Sequence, residues 1–130
     1  MGIKKSNEII GRVLAKCISH GLRGTSISPS DVGMDMGNRD DLLHFADVMK
    51  WLKNERLLTT GYETLGGDYF GVQLTSRGIA TVESEKFSNE GRSVREVVGD
   101  APTGGLGGDV YGKIGSFVGG LVGGLSQSIR

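Results

Sequence analysis

The stretch GGLGGDVYGKIGSFVGGLVGGLSQSIR, residues 104–130, organises the chain. Taken at every fourth position, Gly104, Gly108, Gly112, Ser116, Gly120, Gly124 and Ser128 form an unbroken lane of small residues. A second lane, Gly107, Gly115, Gly119 and Gly123, is interrupted only by Tyr111. Between the lanes fall Leu106, Val110, Ile114, Val118 and Val122, then Phe117, Leu121, Leu125 and Ile129. Residues four apart stack on one side of an α-helix, one turn above another. The pattern predicts a helix with a bare backbone groove beside an aliphatic ridge. Such grooves let two helix backbones come close, the small-xxx-small mode of association. Each glycine costs about 1 kcal/mol of helix stability relative to alanine. A helix so composed needs a stabilising partner: copies of itself, the head of a neighbour, or lipid. The residues expected to carry self-association are Gly112, Gly115, Ser116, Gly119, Gly120, Gly123 and Gly124.

The segment 114–129 carries no charge but falls short of the roughly 20 apolar residues that span a bilayer. It would cross only with neighbours packed in its groove, or with Val110 and Tyr111 joining and Lys113 snorkelling.

Working back towards the N-terminus, residues 87–103 are polar, mixed in charge and punctuated by Pro102, which predicts a linker with a short helix over 93–98. Before it lies a head, residues 1–86. Ser6 or Asn7 is placed to cap a first helix whose buried stripe is Ile9, Ile10, Val13, Leu14, Cys17 and Ile18. Residues 25–37 form a polar stretch in which Ser28-Pro29-Ser30-Asp31 starts a turn or two of helix. The strongest helix runs from about Asn38 to Arg56, with Asn38 or Asp40 as cap and Leu42, Phe45, Ala46, Met49 and Leu52 inward. Its other side collects Asp40, His44, Asp47, Trp51 and Asn54. Residues 57–75 read as two strands joined by a Gly66-Gly67 turn, and Thr75 or Ser76 caps a last head helix to about Glu85.

The run Trp51-Leu52-Lys53-Asn54-Glu55-Arg56-Leu57-Leu58, followed by Val72-Gln73-Leu74-Thr75-Ser76-Arg77-Gly78, resembles the winged-helix domains of bacterial and phage proteins. The resemblance covers about residues 5–86. It implies an α+β fold: a small winged-helix-like head of helices and one β-hairpin, carrying a C-terminal Gly-rich helix. Winged helices serve as DNA readers, protein docks and assembly modules, so the resemblance sets no single function. The tail is similar in pattern to glycine-zipper segments of pore-forming peptides, phage ejection proteins and small membrane-active effectors. That similarity implies self-association at or in a membrane.

Composition excludes several classes. Charges balance, with 15 basic and 15 acidic residues, so no global attraction to nucleic acid or anionic lipid operates. The single Cys17 rules out an internal disulfide and suits a reducing, cytoplasmic setting. Met1–Ser6 is polar with no apolar run after it, so no secretory leader is expected. Two histidines and one cysteine do not make a metal centre, which needs three or four converging ligands. No nucleophile–base set, Gly-x-Ser-x-Gly motif or phosphate loop is present. The expectation is a non-enzymatic protein without metal or cofactor. Its head recognises a protein partner through Trp51, His44 and Asp47, and it holds or releases a tail that forms homo-oligomers, at a membrane in one version. The alternative is a DNA-binding regulator that contacts phosphates through Arg39, Lys50 and Lys53. The acidic residues on the same helix and the absence of a basic wing count against it.

Overall fold

A computed structural model describes residues 3–102 and 105–129, and side-chain environments within 4–102 and 105–122. In order come α1 (Ile3–Ser19), β1 (Thr25–Ile27), a 3-10 turn (Pro29–Val32), α2 (Arg39–Asn54), β2 (Leu58–Thr59), β3 (Tyr62–Glu63) and β4 (Tyr69–Leu74). They are followed by α3 (Ser76–Val82), a second 3-10 turn (Glu85–Phe87), α4 (Val94–Gly99) and α5 (Gly108–Ile129). The protein is α+β: among the described residues, helices pack with a small antiparallel sheet of four strands.

α1 begins at Ile3, before the expected caps, so Ser6 and Asn7 lie inside the helix. Its stripe is as read: Ile9, Ile10, Val13, Leu14 and Cys17 are buried. β1 falls in the stretch read as merely polar. Thr25 and Ile27 point inward and Ser26 outward, the two-residue alternation of a half-buried strand. Three residues are too few for that period to stand out in a sequence.

Asn38 caps α2, its side-chain oxygen accepting from the Asp41 amide at 3.1 Å. The buried face of α2 is Phe45, Val48, Met49 and Leu52. Val48 therefore replaces Ala46, which is exposed, and the helix is rolled by part of a turn from its expected setting. Such a roll follows from volume, because burying a valine removes more apolar surface from water than burying an alanine.

The first hairpin strand divides into β2 and β3, which pair with different parts of β4: Leu58 opposite Leu74, and Tyr62 opposite Phe70. β4 is central, since β1 lies along its other edge. Thr75 caps α3 by accepting from the Gly78 amide at 3.0 Å. Gly78 is the residue that lets α3 sit on β2, since a Cβ there would come within 3.0 Å of the Leu57 carbonyl carbon. Ser93 and Glu96 form a reciprocal capping box at the start of α4.

One core serves all of these elements. Ile9, Val13 and Leu14 of α1 meet Phe45, Met49 and Leu52 of α2, Leu57, Leu58 and Val72 near the sheet, and Ile114, Val118 and Val122 of α5. Val94 of α4, in the segment expected to be linker, is also fully buried in it.

Candidate functional site

α5 lies against α1, and its glycines divide by what faces them rather than by lane. Gly115 faces α1: a Cβ there would lie 2.6 Å from the Asn7 Cα, inside the backbone of the neighbouring helix. Gly11 reciprocates from α1, where a Cβ would lie 2.8 Å from the Tyr111 carbonyl carbon. Residue 7 meets 115 and residue 11 meets 111, so the helices run antiparallel. This is the close approach that small residues allow, made within one chain. Two further contacts secure the seam. The Arg12 guanidinium sits 4.6 Å over the Tyr111 ring while bonding Glu8 at 3.0 Å. Phe87 meets the Phe117 ring edge-to-face at 5.4 Å. Ile114 and Val118 lose all of their exposure in this arrangement.

The stretch Gly112–Ser116–Gly120 of the first lane is open, and so is Gly119 of the Gly115 lane. A Cβ added at Gly112, Gly119 or Gly120 would meet nothing within 4 Å, and Ser116 is exposed. Beside this lane α1, α2 and α5 enclose a groove of about 600 Å³, lined in part by Ser6, Asn7, Ile10, Asp47, Trp51 and Gly119. That size falls within the roughly 300–1,000 Å³ typical of binding clefts. Trp51 is half-buried, packed on the core and lining the groove. Asp47 is exposed and is the charged residue of the lining. His44 is half-buried and within 2.6 Å of the Ser6 hydroxyl, tying α2 to α1. Of the three residues expected to bind a partner, Trp51 and Asp47 share the groove, while His44 belongs to the α1–α2 contact. Lys5 adds an ion pair to Asp41 at 2.9 Å across the same pair of helices.

Of the seven residues expected to self-associate, Gly115 is spent on α1, while Gly112, Ser116, Gly119 and Gly120 face open space or solvent. The surroundings of Gly123 and Gly124 lie outside the described residues. The sequence reading missed Gly11 and Asn7 as the receiving surface. The available signal was Gly11 itself, a glycine inside a strongly apolar helical stripe, where a packing reason is the usual explanation.

Arg39, Lys50 and Lys53 are all exposed and form no ion pair among the described residues. Helical spacing puts them on one flank of α2, with Asp40 and Asp47 on the other and Leu43 between. Leu43 is 52% exposed and Met36, just before the helix, 45%. Cys17 is buried and lies away from this surface, its thiol pushed up to about 12 by burial. Among the described residues no cluster of His, Cys, Asp or Glu could hold a metal ion, and no helix is long and apolar enough to cross a membrane.

Comparison with protein-family models, curated proteins and solved structures found no match to this chain.

Proposed function

We propose that this chain is a non-enzymatic assembly protein: a winged-helix-like head whose glycine-rich last helix joins copies of the molecule together. The observation that carries the reading is the open lane Gly112–Ser116–Gly120. Gly115 is used to hold α5 on α1, yet Gly112 and Gly120 stay bare on the outside. Each bare glycine costs about 1 kcal/mol of helix stability against alanine, and among the described residues nothing lies within 4 Å of a Cβ placed at Gly112 or Gly120. A close helix from outside would need both to be small. The order α1–β1–turn–α2–β2–β3–β4–α3, with β4 between β1 and β2, supports the winged-helix reading of the head.

The test is sedimentation velocity of the full chain beside a Gly112→Leu/Gly120→Leu variant. Both sites have room, so the fold should survive, as far-UV circular dichroism would verify. The wild type should sediment as an oligomer and the variant as a monomer. Equal sedimentation of the two would remove the proposal. Adding liposomes to the same runs asks whether the lane takes lipid: pelleting of the wild type but not of the variant would place the assembly on a membrane.

A second reading, DNA binding by the head, is favoured by one observation: Arg39, Lys50 and Lys53 lie unpaired on one flank of α2, clear of Asp40 and Asp47. It expects duplex binding that weakens steeply with salt and is lost in Lys50→Glu/Lys53→Glu. A gel shift with no retardation at low salt would end it.

A further inference from the structure

We propose that the second molecule packs in parallel, with Lys113 of each α5 seated at Asp47 in the groove of the other. The inference rests on the self-association proposed above and adds to it the polarity and the contact that fixes it.

The two sides of the open lane differ. On one side is the groove, walled by Ser116, Gly119 and Gly120 of α5 and by Asp47 and Trp51 of α2. On the other is a more open hollow bounded by Val110, Lys113 and Phe117 of α5 and by Phe87 and Glu90. Ser116 borders both, so the lane is the ridge between them. Asp47 gives the groove a negative charge that no basic residue among the described residues of its lining offsets. Lys113 is exposed and makes no ion pair among the described residues, although Glu8, Asp109 and Glu90 border the hollows it shares.

Symmetry then decides between arrangements. A two-fold axis along the helices sets the left flank of one lane against the right flank of the other. That places Lys113 of each copy against the groove of its partner, twice over. A two-fold axis across the helices sets like flanks together, Asp47 against Asp47 and Lys113 against Lys113, which both repel. Reach is adequate: Lys113 precedes Ser116 by three residues, about 4.5 Å along the axis. Its aliphatic stem would lie on the apolar wall of the groove with its ammonium at the carboxylate. The Trp51 ring offers that cation a further attraction. Parallel packing over small residues with right-handed crossing is also the geometry a four-residue repeat favours.

The experiment is sedimentation equilibrium of the full chain as wild type, as Asp47→Lys, as Lys113→Asp, and as an equimolar mixture of the two variants. Both positions are exposed, so each variant should keep the wild-type circular dichroism spectrum. The wild type should dimerise, and each variant alone should dimerise at least tenfold more weakly. The mixture should recover wild-type affinity, because its heterodimer carries two opposite-charge contacts. Single variants that dimerise like the wild type, or a mixture that stays weak, would overturn the contact while leaving self-association standing. A wild type that is monomeric throughout would overturn both.

Discussion

Replacing one glycine of α5 by alanine should change stability with a sign set by what the glycine faces. At Gly115 the new methyl would lie 2.6 Å from the Asn7 Cα, where ordinary carbon contacts are about 3.5–4.0 Å. The obstacle is backbone, which cannot swing aside, so α1 and α5 must part by about 1 Å. A gap of that size forfeits a quarter to a half of each dispersion contact along the seam, and it loosens the burial of Ile114 and Val118. Overpacking of this kind costs about 1–3 kcal/mol. Alanine returns about 1 kcal/mol through helix propensity, leaving a net loss of about 0–2 kcal/mol. At Gly119 the methyl meets nothing, so only the propensity gain of about 1 kcal/mol remains. For a chain of this length 1 kcal/mol moves Tm by about 3–6 °C. Gly115→Ala should therefore melt below the wild type, by up to about 10 °C, and Gly119→Ala several degrees above it. Thermal unfolding by circular dichroism reads both, at concentrations low enough that Tm no longer depends on dilution. Gly115→Ala melting at or above Gly119→Ala would refute the placing of Gly115 against α1 and Gly119 in open space.

Two further expectations concern protons. Burial holds the Cys17 thiol at about 12 against an ordinary 9.0. Between those values the unfolded chain has released a proton that the folded chain keeps, so stability falls as pH rises through that window. Cys17→Ala should flatten that part of the pH–stability curve, and the native thiol should ignore a disulfide reagent at pH 8 until the chain unfolds. Equal reaction rates for native and unfolded protein would contradict this. The Asp41 carboxylate is held below its ordinary value by the Asp35 amide and by Lys5. Its contribution is present above pH 3.8 and is lost as pH falls through the lower folded value. Asp41→Asn should thus be less stable than wild type at pH 7, with the gap closing in acid. A gap that is the same at pH 7 and pH 2 would argue against the ion pair.

Much of the fold was legible because its signals are long or chemically specific. α1 and α2 announce themselves through stripes of several turns. The caps Asn38 and Thr75 were each readable as one of two candidates because few side chains satisfy a helix N-terminus. β1 was not readable, since three residues carry too little period and its pairing to β4 is a tertiary event. The roll of α2 was missed for a related reason. Ala46 and Val48 both suit a helix interior, and the choice between them depends on what α1 and α5 bring to the other side. The four-residue repeat revealed that α5 must be held closely. It did not reveal that α1 of the same chain does the holding, because the matching sign there is one glycine, Gly11, with no repeat around it. The groove at Trp51 needs three helices that are far apart in sequence, so its residues could be named singly but not assembled.

The most direct measurement places a cysteine on the outer lane. Ser116 is exposed, and Ser116→Cys keeps the lane small. A disulfide forms only when two Cα atoms come within about 4.4–6.8 Å, and in the proposed pair the two Ser116 residues face each other across the axis. Mild oxidation of dilute Ser116→Cys should give a covalent dimer, while Ser30→Cys, exposed at the 3-10 turn before α2, should stay monomeric. A monomeric Ser116→Cys, or equal cross-linking at both sites, would contradict the claim that two molecules meet along that lane.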